Sequence, residues 1–131
     1  MLNVEIYNAA LALISQSIES TDIADYEERA PYLIASFCST AKSIDADIRR
    51  AKKLESQTKF SPVCLELEKD FPLCDELAGA ASLYVAAMLV IDEDEALSDS
   101  IYDKYCDAIS SKIALGYGSE SKSIVDVYDF D

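Results

Sequence analysis

The chain has no histidine and no tryptophan, and only three glycines and three prolines in 131 residues. Without histidine a Ser-His-Asp triad cannot be assembled, and a nucleophilic cysteine has no imidazole to act as its base. The same absence removes mixed Cys/His zinc sites and the Glu-x-x-His pairs of di-metal helical bundles. Scarce glycine leaves little for phosphate-cradling loops. The one candidate, GYGS at 116–119, follows a helical stretch, whereas a dinucleotide loop follows a strand. It also has Ser119 where a P-loop carries lysine. Long apolar runs are missing too. The best candidate, 77–91, falls short of the roughly 18 residues of a membrane span. It is bounded by Asp75, Glu76 and Asp92 and reads as a buried core helix.

The start, MLNVEIYNAALALIS, lacks a basic leader and carries Glu5, so the cytoplasm is the expected compartment. The four cysteines, Cys38, Cys64, Cys74 and Cys106, form no C-x-x-C pair and lack zinc spacing. Cys38 and Cys106 fall at core-facing helix positions, where a free thiol behaves as a small hydrophobe. Four reduced thiols, no metal and no cofactor are expected.

What is present favours helix. The length suits one domain, and Ala, Leu, Ile, Glu and Asp dominate. A first helix is expected over 4–19, with Asn3 as its cap and Ile6, Ala9, Ala10, Leu13, Ile14 and Ser17 on one face. A second begins at 22–29, is interrupted at Ala30-Pro31, and continues through Leu33, Ile34, Phe37, Cys38, Ala41, Ile44, Asp45 and Ile48. A third covers 75–91. It is apolar nearly all round, which makes it either central or covered by a partner chain. A fourth, 95–114, buries Leu97, Ile101, Tyr105, Ala108 and Ile109 and exposes Asp99, Asp103, Lys104 and Asp107. The stretch 55–70 is irregular. Within it 63–67 alternates in part, and 123–128 alternates more clearly, a pattern that fits a small two-stranded ribbon packed on helices. The expectation is an all-α, four-helix-bundle-like single domain over 1–115, with a flexible linker and tail over 116–131.

The net charge of −14, from 25 acids and 11 bases, repels phosphate backbones. No sequence-specific nucleic-acid binding is expected, although an acidic surface suits a channel through which DNA slides. It also steers toward a basic protein partner and keeps the domain soluble. One basic cluster stands out, Arg49, Arg50, Lys52 and Lys53. Its residues complement a helix C-terminus, and they also offer a docking patch for an acidic neighbour. The acidic break IDEDEALSD lacks the glycine and the spacing of a calcium loop. Carboxylates are abundant, and none is singled out as a catalytic pair, so no enzymatic activity is expected. Among the tyrosines, Tyr32, Tyr84 and Tyr105 read as core or boundary, and Tyr117 and Tyr128 as partner contacts.

The segments DYEERAPYLIASFCSTAKSIDADIR, SPVCLELEKDFPL and DELAGAASLYVAAMLVIDEDEALSDSIYDKYCDAI together resemble a small helical protein of tailed bacteriophages and prophages. The resemblance spans roughly residues 5–112 and rests on helix pattern and a few marker residues. It is to the head–tail connector, or neck adaptor, class. That class implies a helical bundle docking as a ring beneath the portal, with loops or termini reaching into neighbouring subunits and DNA passing through the centre. It implies partners that are protein subunits, no membrane, and a place in the host cytoplasm and then the virion neck. It carries no functional residue over. The alternative is a small acidic regulatory protein that binds a basic host or phage protein. A carboxylate-and-metal helical enzyme ranks last.

Overall fold

The computed structural model describes residues 1–14 and 23–117. Among these, four α-helices follow one another: α1 Asn3–Leu13, α2 Ile23–Ala51, α3 Ala78–Val90 and α4 Glu95–Tyr117. A 3₁₀ turn, Asp75–Leu77, leads into α3. The described residues hold no strand, only an isolated bridge between Leu2 and Asp70. The all-α fold agrees with the sequence. So does the absence, among these helices, of one long and apolar enough to cross a membrane.

Helix α3 is central. Its sequence, AGAASLYVAAMLV, offers water almost nothing polar, and the other three helices all pack against it. Ala80, Ala81, Val85, Ala86, Ala87, Leu89 and Val90 are buried on several sides at once. Small alanines let the neighbouring helices approach closely. The cover that the sequence left open is therefore intramolecular.

The polar ends of α3 fix the arrangement. The last four carbonyls of a helix have no partner within it. Here Ala87 accepts from Ser98 Oγ (2.9 Å) and Met88 from Arg29 Nη2 (3.0 Å). Leu89 accepts from Arg29 Nη1 (3.5 Å), and Val90 from the amides of Glu93 and Asp94. The guanidinium also sits where the helix carries partial negative charge. Asp94 then caps α4, its Oδ1 accepting from the Leu97 amide at 3.0 Å. The Tyr26 hydroxyl donates to the Glu93 carboxylate. The acidic break is thus occupied with capping, as expected of acids at a helix start.

These contacts set the helix directions. Helix α3 runs antiparallel to α2, and α4 returns parallel to α2. Midway, where the three meet, Phe37, Tyr84 and Tyr105 pack with ring centroids 5.4–6.1 Å apart, and Tyr102 adds to Tyr105 at 5.3 Å. Burial, then the neighbouring tyrosines, pushes the Tyr105 phenol up to about 12. The Tyr84 hydroxyl reaches Ser36 Oγ at 3.0 Å.

Several expectations are corrected. Helix α2 passes through Pro31 without interruption. A proline inside a helix costs about 3 kcal/mol. Tyr26 and Ala30 before it and Ile34, Ala35, Phe37 and Cys38 after it are all buried, which outweighs that cost at about 1.5–3 kcal/mol per large side chain. The Pro31 carbonyl in turn accepts from the Leu65 amide at 3.0 Å. Asn3 is not a cap. Leu2 occupies that position, and the orphan amides of Asn3 and Val4 donate to Lys69 and Leu67 carbonyls, each at 2.8 Å. Asn3 itself is buried, its Nδ2 donating to the Glu66 carbonyl at 2.9 Å.

Residues 63–67 are irregular, because their polar backbone groups serve α1 and Pro31 and form no ladder; 123–128 lies outside the described residues. Ala9, Leu13, Ile91 and Cys106 point to solvent, and Tyr32 is 55% exposed. Tyr32 lies on the face of α2 opposite its buried residues, Ile91 follows the last residue of α3, and Ala9, Leu13 and Cys106 lie outside the buried faces of their helices. Helix α4 includes Gly116 and Tyr117, so the first two residues of the expected linker are helical. One glycine in a last turn costs only about 1 kcal/mol, too little to end a helix of this length. The rest of the expected linker and tail lies outside the described residues.

Asp94→Ala removes the α4 cap and is expected to lower unfolding free energy by about 1 kcal/mol, read by urea denaturation. An unchanged midpoint would show that the cap contributes nothing.

Candidate docking surface at the basic end of helix α2

Helix α2 ends in a Schellman closure. The Lys53 amide donates to Arg50 (3.2 Å) and the Leu54 amide to Arg49 (2.8 Å), while Lys53 takes φ 58°. Glycine usually fills that left-handed position. A lysine there is strained, and it turns the chain sharply into the loop 54–74.

The structure divides the four predicted cations. Arg49 is committed to the fold. Its Nε donates to Asp45 Oδ2 (2.8 Å), Nη1 to the Glu55 carbonyl (3.2 Å) and Nη2 to the Pro72 carbonyl (3.2 Å). One guanidinium thus ties α2 to both limbs of the loop. Arg50 pairs with Asp47 at 2.7 Å, and Lys52 with Glu76, whose carboxyl that hydrogen bond holds below the usual range. Lys53 is exposed. Arg50, Lys52 and Lys53 form the solvent-facing part. Tyr117 is the last residue of α4, and Tyr128 lies outside the described residues. The surface beside the cluster is a shallow depression of about 460 Å³ edged by Arg49, Leu54, Cys74 and Glu76.

Sequence reasoning missed the group on which this end depends. Asp45 is 0% exposed and accepts from Arg49, from Gln57 Nε2 (2.6 Å) and from the Cys74 amide (2.7 Å). Burial alone would raise its carboxyl. The hydrogen bonds from Gln57, Cys74 and Arg49 outweigh burial and hold it below the usual carboxylate range. An aspartate on the apolar stripe of α2, with arginine four residues on, was the available signal. Gln57 had none, because its partner is 12 residues away. Burial, then the Asp45 charge, pushes the Cys38 thiol up to about 12. Cys74 also rises to about 12, from burial and then its hydrogen bond to Asp45. Both thiols are poor nucleophiles in this state. Among the described residues no cluster of His, Cys, Asp or Glu is arranged to hold a metal ion.

No protein-family model, curated protein or solved structure matches this chain.

Two outcomes test this end. The folded-state value of Asp45 is depressed, so its contribution is fully present above about pH 4 and is lost as pH falls through the lower folded value. Asp45→Asn is expected to cost about 3 kcal/mol near neutral pH, with the gap to the parent narrowing in strong acid. Urea titrations at the two pH values read it, and a gap that stays constant with pH overturns it. Separately, Lys53→Gly relieves the left-handed strain and is expected to raise stability by about 1 kcal/mol. A lower melting temperature for that variant would contradict the strain.

Proposed function

We propose that this chain is a phage or prophage structural protein of the head–tail connector class, acting through protein–protein assembly on the portal. The observation that carries the reading is the segregation of charge on a helical core whose apolar helix is already enclosed. The outer face of α4 presents Asp99, Asp103 and Asp107, while Arg50, Lys52 and Lys53 gather at the end of α2. A contact between the basic end of one copy and an acidic face of the next joins unlike patches. Such head-to-tail contacts close into rings when the rotation between copies allows. The resemblance of 5–112 to neck adaptors supports the same reading. In this role the chain works by position and surface, and its acidic exterior lets DNA pass without adhering.

The exposed acidic face of α4 also favours a second reading, a small regulator that binds one basic protein in a discrete complex.

Mass spectrometry of particles purified after induction of the source strain separates the two. The connector role predicts stoichiometric peptides of this chain in intact particles. It also predicts that Arg50→Glu/Lys53→Glu accumulates folded in the lysate and is excluded from particles. Absence of the parent chain from well-covered particles, with the chain abundant in the lysate, sinks the connector role and favours the regulator.

A further inference from the structure

After the turn at Lys53 the loop folds back along α2. It is held there by Gln57 Nε2 donating to the Lys42 carbonyl (3.1 Å) and Ser39 Oγ donating to the Pro62 carbonyl (3.3 Å). Between these ties the loop does not close on the helix. An open groove of about 440 Å³ remains, lined by Ser39, Lys42, Lys59, Phe60 and Pro62. The Lys42 ammonium lies 6.0 Å from the Phe60 ring centroid, and both lysines are exposed. On a chain of net charge −14, this lining carries two cations, one aromatic ring and no carboxylate. The groove suits a ligand that is both anionic and aromatic.

The chain carries such a ligand at its own end. The last six residues read Asp126-Val127-Tyr128-Asp129-Phe130-Asp131, three carboxylate side chains interleaved with two aromatic rings. An extended backbone puts Tyr128 and Phe130 on one side and Asp129 and Asp131 on the other. We propose that segment 126–131 docks in the groove of its own chain, rings against Phe60 and Pro62 and carboxylates toward Lys42 and Lys59.

The path is short enough. Helices α2 and α4 are parallel, with Glu93 beside Tyr26 and Tyr105 beside Phe37. The same offset brings Tyr117 level with Arg49, about 10 Å along the axis from Lys42. The 14 residues that follow Tyr117 span up to about 46–50 Å when extended. A tether of this length presents the segment at an effective concentration on the order of millimolar. At micromolar protein, docking within one chain therefore outcompetes docking between copies. This docking is a property of the isolated chain and is independent of its place in any particle.

The absence of tryptophan makes the test direct. Phe130→Trp in the full chain installs a single indole, and Tyr128→Trp gives a second reporter. Docking predicts a blue-shifted emission and an acrylamide quenching constant severalfold below that of a free indole. Both signals should hold unchanged from about 1 to about 100 µM protein, as an intramolecular contact requires. Lys42→Glu/Lys59→Glu should abolish the protection while leaving the circular dichroism melting curve in place. Free-indole quenching of both reporters in the parent background overturns the docking. Protection that grows with concentration assigns the groove to a second copy and overturns the intramolecular form. Protection that survives the double lysine reversal removes the groove as the site.

Discussion

The rest of the structure depends on enclosing α3. A helix with no polar face cannot lie on a surface, so the other three helices are arranged around it. Its ends, unlike its sides, carry unmet backbone groups, and these select the partners. Arg29, Ser98 and the turn at 91–94 take up the carbonyls at one end. At the other end the Cys74 amide, just before the 3₁₀ turn, donates to buried Asp45. Helix α2 contributes to both, so it spans α3 from end to end and fixes the antiparallel alignment. The length of α2 and its tolerance of Pro31 follow from that task.

The basic cluster illustrates how one run of sequence divides between fold and surface. Arg49 faces inward, where a single guanidinium meets a buried carboxylate and two loop carbonyls. Replacing it by lysine would keep the charge and lose the fork that reaches three acceptors. Arg50, Lys52 and Lys53 point outward, with acidic partners close to two of them. One run of sequence is thus divided by the fold, which takes up Arg49 and leaves Arg50, Lys52 and Lys53 at the surface.

The helices were legible because their patterns are long and periodic. The start of α4 followed from the acidic run, and the central place of α3 was one of two options that an all-apolar helix allows. What was not legible depends on partners distant in sequence. Asn3 has the chemistry of a cap, yet it lies inside the helix, and loop carbonyls 63–66 residues away take up its own amide and that of Val4. Pro31 carries a local penalty that only the packing on both sides of it overrides. Asp45 stood in the apolar stripe, but Gln57 and the Cys74 amide, which make its burial tolerable, come from a loop without periodicity. Cys106 and Tyr32 lie off the buried faces of their helices, and a residue's apolar character alone does not reveal that. At the candidate docking surface, the sequence located the cations and left open which of them the fold uses.

The anchoring of α1 has a consequence for how the chain is made. The Asn3 side chain and the first amides of α1 are held by 66–69, and the Phe71 amide returns to the Met1 carbonyl at 2.8 Å. Helix α1 leaves the ribosome before α2 and α3, yet it is among the last of the described elements to be secured. It waits, its apolar stripe uncovered, until the loop after α2 and the whole of α3 have emerged. The same order runs in reverse under stress. Helix α1 and the loop that clasps it share their hydrogen bonds, so loosening one loosens the other. The earliest amides to exchange with solvent should then come from both termini of that clasp, far apart in sequence and released as a pair.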